Sequence, residues 1–200
     1  SSVRDPAPVV ALLERLKDDP SEYVRRSVGN NLNDIAKDHP ELVIELCRRW
    51  ARGASPQRLA VAVRALRTLV KAGDPRALAV LGFDHEARVT VGRIALSTRR
   101  VPIGGVLGFS FELRSKDDAP RRLVVDYAVH HVKHSGEQRP KVFKLRTLEL
   151  GPRATVTLDK RHSFKPITTR RYYPGRHAID VLVNGRALGS AGCELTEKAR

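Results

Sequence analysis

The 200 residues are 41% hydrophobic and 30% charged, the balance of a folded globular chain rather than a disordered or membrane-embedded one. No apolar run approaches the roughly 20 residues that cross a bilayer, and only Cys47 and Cys193 occur, so no disulfide framework is written here and a reducing cytoplasm is the expected compartment. The formal net charge of +15 calls for a polyanionic partner.

The charge is uneven. Residues 1–82 hold 14 Lys and Arg against 10 Asp and Glu, and residues 83–200 hold 23 against 12. Neither a basic amphipathic helix nor a lipidation signal accompanies it, so nucleic acid is the expected partner and a membrane is not. No signal peptide opens the chain, and Ser1-Ser2 without a Met reads as a start inside a longer protein.

Helix starts recur through the first part. Asp5-Pro6, Asp19-Pro20, His39-Pro40, Ser55-Pro56 and Asp74-Pro75 each set a proline at or near a first helical position, mostly behind a good N-cap. Asp19 and Glu22 have capping-box spacing. These signals predict helices over 6–18, 20–37, 40–53, 56–72 and 75–81. Pro20 to Pro56 is 36 residues and Pro40 to Pro75 is 35, the pitch of a HEAT-like α-α solenoid. Two repeats are visible over residues 1–83, and more are expected upstream.

On the second helix Val24, Val28, Leu32 and Ile35 make the apolar stripe. Beside it run Arg26, Ser27, Asn30 and Asp34, with Asn31 on the other edge. These short polar residues are poor helix formers grouped about one carboxylate. They read either as a site or as Asn30, Asn31 and Asn33 capping and bridging neighbouring helices. On the fourth helix Leu59, Val63, Leu66 and Val70 are the expected core, while Arg64, Arg67 and Lys71 form a basic stripe. That stripe is a solvated face or a phosphate track, and Arg25 adds to it.

From residue 84 the apolar period changes from 3.6 to 2. Seven strands are predicted: from Val89 to Leu96, then 106–113, 123–132, 142–150, 154–158, 177–183 and 187–195, an antiparallel β-sandwich over 84–200. Asn184-Gly185 signals a type I′ hairpin turn. Tyr172-Tyr173-Pro174-Gly175 resembles the tyrosine corner of immunoglobulin-like domains. Two basic groups stand out: Arg139, Lys141, Lys144 and Arg146, and then Lys160, Arg161, Lys165, Arg170 and Arg171. They are DNA-contact candidates, or else a solubilising surface. His130-His131-x-x-His134 has no nearby Cys or carboxylate to complete a tetrahedral set, so no metal is assigned.

SEYVRRSVGNNLNDIAKDHPELV, followed by ALRTLVKAGDPRALAVLGF and an Ig-like tail, resembles the C-terminal portion of bacterial DNA alkylation repair glycosylases of the AlkC type. The resemblance covers essentially the whole chain. It implies HEAT-like repeats followed by an Ig-like domain, and a monofunctional glycosylase without cofactor. Such an enzyme, a monomer, removes small cationic bases of the 3-methyladenine and 3-methylcytosine type from double-stranded DNA. Asp34 matches the family's catalytic aspartate, with Arg26, Asn30 and Asn31 as supporting residues. The relatives also carry upstream repeats with an active-site glutamate and tryptophan. Nothing in this chain matches those two, and Trp50 reads as core. A non-catalytic DNA-binding module and a protein-binding solenoid remain as alternatives.

Overall fold

Six helices open the described residues, which in the computed structural model are 5–168 and 171–197. They are α1 (Ala7–Leu16), α2 (Glu22–Ile35), α3 (Pro40–Ala51), α4 (Pro56–Ala65), α5 (Arg67–Lys71) and α6 (Pro75–Val80). Proline is the first residue of α3, α4 and α6, where its missing N–H costs nothing. Ser55 Oγ accepts the Arg58 N–H at 3.2 Å, and Asp74 Oδ1 accepts those of Arg76 and Ala77 at 2.9 and 3.2 Å. The expected capping box does not form: α2 starts behind Ser21, and Asp19 Oδ1 accepts the Ser21 N–H at 2.8 Å. None of these helices is long and apolar enough to cross a membrane.

The predicted helix over 56–72 is broken at Leu66, whose φ of −90° and ψ of 0° separate α4 from α5. Its buried face is also shifted. Leu66 and Val70 are buried as expected, but Val63 is exposed, and Val61, Ala62 and Ala65 turn inward. Helix α4 lies close against α2, with the Arg64 stem on Gly29, and packing on its neighbours buries Val61, Ala62 and Ala65 in place of Val63. Val28, Leu32, Ile35, Val43, Leu46, Cys47, Leu66 and Leu78 fill the helical core. Burial pushes the Cys47 thiol up to about 12.

The chain divides into two compact units, Ser1–His85 and Glu86–Arg200. The second holds β1 (Val89–Val91), β2 (Ala95–Leu96), β3 (Arg100–Pro102), β4 (Val106–Ser115), β5 (Arg121–Val132), β6 (Gln138–Leu150), β7 (Thr155–Ser163), β8 (Gly175–Val183) and β9 (Arg186–Thr196). One sheet has β4 between β7 and the successive short strands β1 and β2; the other runs β3-β9-β8-β5-β6. The predicted first strand is therefore two pieces. The unpredicted β3 crosses to the other sheet and pairs parallel with β9.

Alternation builds the core between the sheets. Leu107, Phe109, Phe111 and Leu113 of β4 point inward, opposite His177, Ile179, Val181 and Val183 of β8. The Asn184-Gly185 turn has both residues at positive φ, 47° and 79°, as type I′ requires. Asn184 is itself buried and exchanges two 2.9 Å hydrogen bonds with the Val124 backbone, through its side-chain oxygen and its own N–H. Tyr172 lies in the core against Phe164, with ring centroids 5.5 Å apart. At one end of the sandwich Asp117, buried, accepts the Arg88 N–H (3.0 Å), Arg88 Nε (2.9 Å) and Arg121 Nε (3.1 Å).

Candidate nucleic-acid interface

Helix α2 sorts its polar residues by depth. Val28, Leu32 and Ile35 are buried, whereas Arg26, Ser27, Asn30, Asn31 and Asp34 are exposed along the helix. The Asp34 side chain is 68% exposed, so it is open to a ligand and not locked in a dry helix contact. Its Oδ1 accepts from Lys37 Nζ at 2.7 Å. That hydrogen bond first, then the Lys37 charge and more weakly that of Arg67, hold the carboxyl below the usual carboxylate range. Asp34 is thus a fixed negative charge at neutral pH with two cations nearby.

The supporting residues are less engaged. Arg26 Nη1 lies 3.9 Å from Glu22 Oε1, a loose exposed pair. Asn31 Nδ2 donates to the Ser27 carbonyl one turn back at 3.0 Å. The bridging asparagine is Asn33. It is buried, and its Oδ1 accepts both the Thr68 N–H (3.2 Å) and the Thr68 hydroxyl (2.9 Å), tying α2 to the start of α5. Bridging therefore describes Asn33 but not Asn30, which has no side-chain hydrogen bond among the described residues.

The basic stripe reaches α2 through a glycine. A Cβ on Gly29 would stand 2.8 Å from Arg64 Cβ and 3.0 Å from its Cγ and Cδ, so the Arg64 stem lies flush on the α2 backbone. One helical turn beyond Gly29 on α2 comes Asn33, whose partner Thr68 follows the exposed Arg67; Lys71, also exposed, ends α5. Arg25, Arg26 and Arg64 line a cleft of ≈ 300 Å³ between the start of α2 and α4. Arg25 is committed to the fold: its Nη1 donates to the carbonyls of Asp19 (2.6 Å) and Pro20 (2.8 Å). Trp50 is buried, its Nε1 donating to Glu14 at 3.0 Å.

In the sandwich, Lys160 is half-buried on β7, and Arg161, Lys165 and Arg171 are exposed. Arg170 lies outside the described residues. Arg139, Lys141, Lys144 and Arg146 are exposed on the edge strand β6. The three histidines do not converge. His130 Nε2 is 2.6 Å from Asp180, His131 packs 5.5 Å from the Tyr172 ring, and His134 packs 5.7 Å from Tyr173. Among the residues not singled out from sequence, Lys37 could have been found by its i+3 spacing from Asp34. Gly29 carried no signal separating it from its neighbours, whereas Asn33 was one of three asparagines named as possible bridges and the structure selects it among them.

Residues 90–197 match the family described as the C-terminal Ig-like domain of the uncharacterised protein YhaZ. YhaZ of Bacillus subtilis is 38% identical over 186 residues, 93% of this chain and 51% of that protein. The Pseudomonas fluorescens alkylpurine DNA glycosylase AlkC, bound to DNA containing an abasic site analog, superposes with a TM-score of 0.91 at 43% identity, over 96% of this chain and 53% of that one. The chain thus spans about half the length of the relatives it matches. Its sequence match and its Ig-like unit together make it a member of the YhaZ family.

Proposed function

We propose that this chain is the C-terminal portion of a DNA glycosylase that hydrolyses the N-glycosidic bond of small cationic alkylated bases in double-stranded DNA. The observation that carries the reading is the likeness to DNA-bound AlkC, which spans nearly all of both units at 43% identity. In this reading the helix pairs are HEAT-like repeats and the whole acts as a monomer on cytoplasmic DNA. Arg64, Arg67 and Lys71 on one unit, and Lys160, Arg161, Lys165 and Arg171 on the other, neutralise phosphates.

Asp34 is the reacting-centre carboxylate. An alkylated base carries a positive charge and leaves as a neutral molecule when the C1′–N bond breaks, taking the bonding pair. Positive charge then grows on the deoxyribose, and a fixed anion beside C1′ lowers its energy. Water adds to C1′ and loses a proton to solvent. A carboxyl held below its usual range by Lys37 suits charge stabilisation better than proton uptake. Asn30 and Arg26, exposed along the same helix, orient the sugar-phosphate.

One observation favours a second reading, a DNA-holding module without excision. Asp34 is already paired with Lys37 at 2.7 Å. Measuring release of 3-methyladenine and 3-methylcytosine from methylated duplex by the longer protein and its Asp34→Asn variant decides between them. The glycosylase reading expects release to fall by about a hundredfold or more with DNA affinity retained. Unchanged release sinks it.

A further inference from the structure

The sandwich has an open edge that the DNA reading leaves unused. Where the β1–β2 segment of one sheet faces β9 of the other, an open cleft of ≈ 1110 Å³ runs along β9 from Gly189 to Glu194. Strand β3 covers β9 only at Glu194–Thr196. Over 186–193 no strand among the described residues pairs with the side of β9 away from β8. The Glu194 N–H bonds the Arg99 carbonyl at 2.8 Å, and the Thr196 carbonyl accepts the Ile103 N–H at 2.9 Å. Backbone groups of alternate residues point to the same side of a strand, so the N–H and C=O of Gly192 and Ser190 face into the cleft.

Arginines frame it. Gly192 leaves the sheet face bare, and the Arg176 guanidinium lies across it, Nε and Nη2 at 3.8 and 3.9 Å from where a Cβ would stand. Arg93, Arg99 and Arg100 line the remaining rim. Arg100 Nε lies 3.8 Å from Glu194, while Arg93, Arg99 and Arg176 have no carboxylate partner among the described residues. Val91, Ile94 and Leu96 supply an apolar inner wall.

We propose that this edge binds an extended acidic peptide segment of a partner protein, added as a strand beside β9 in line with β3. A naked edge is a template for such pairing. The charge calls for an anion, and the backbone decides which kind. Ser190 and Gly192 present carbonyls as well as N–H groups, and a phosphodiester chain, which only accepts hydrogen bonds, would leave those carbonyls facing its own negative oxygens. A peptide supplies both donor and acceptor. Alternating side chains would set acidic groups toward Arg99 and Arg176 and apolar ones toward Val91 and Ile94.

The probe is a fluorescein-labelled peptide of alternating Glu and Val, titrated against the ¹⁵N-labelled 200-residue chain by anisotropy and NMR. Saturable binding is expected, with the largest amide shifts at Ser190 and Gly192. Binding should weaken about tenfold in Arg99→Glu/Arg176→Glu, and less in Arg99→Gln/Arg176→Gln, which has the same side-chain length as the Glu variant but removes the two positive charges without reversing them. A peptide N-methylated at alternate residues should not bind. Equal binding of the N-methylated peptide would reduce the site to charge attraction and overturn strand addition. So would tighter binding, at the same amides, of a single-stranded oligonucleotide, or the absence of saturation.

Discussion

Replacing Gly29 with alanine puts two well-known effects in opposition. In the interior of α2, alanine is favoured over glycine by about 1 kcal/mol from helix propensity alone. Against this, the new Cβ would stand 2.8 Å from Arg64 Cβ and 3.0 Å from Cγ and Cδ. Carbon atoms pack best at about 3.5–4.0 Å, so roughly 0.7 Å or more must be found. The nearest atom is a Cβ fixed to the α4 backbone, not the end of a side chain, so α4 itself must move. Overpacking of this kind costs about 1–3 kcal/mol, and the net expectation is a loss of about 1 kcal/mol in urea unfolding. The shift also carries Arg64 away from α2 and lowers affinity for DNA. Gly29→Ala/Arg64→Ala, which removes Cγ and Cδ but keeps Cβ, should recover part of the stability. A Gly29→Ala protein more stable than wild type by the full propensity difference would refute the close approach of α4.

The remaining expectations rest on single groups. Asn33→Ala leaves the Thr68 N–H and hydroxyl without their shared acceptor and should destabilise the helical unit by about 1–3 kcal/mol, read by urea denaturation; a cost below a few tenths would show that water replaces Asn33. Asp117 is held below the usual carboxylate range, first by Arg88 and then by Arg121. Its contribution is therefore present above a pH of about 4 and lost as pH falls through the lowered value. Asp117→Asn should melt lower at neutral pH and show a flatter acid limb in thermal melts from pH 2 to 6; parallel curves would contradict this. In Lys37→Ala the Asp34 carboxyl returns toward its ordinary value. The acid limb of base release should then move to higher pH, and an unmoved limb would separate Asp34 from the rate.

What the chain writes locally and what it leaves to packing divide along a physical line. Prolines at 40, 56 and 75, caps at Ser55 and Asp74, alternation in β4 and β8, and Asn184-Gly185 act through the backbone of their own few residues, so they were legible before any fold was known. Charge likewise belongs to the composition. The break at Leu66, the inward turn of Ala62 and Ala65, and the crossing of β3 to pair with β9 depend on partners dozens of residues away. The same holds for the site. Asn30, Asn33 and Asp34 are alike as letters in one helix, and only the arrival of Thr68 makes Asn33 a buried bridge and leaves Asp34 facing solvent beside Lys37. A side chain's type sets what bonds it can make; tertiary packing alone decides whether protein or solvent supplies the partner.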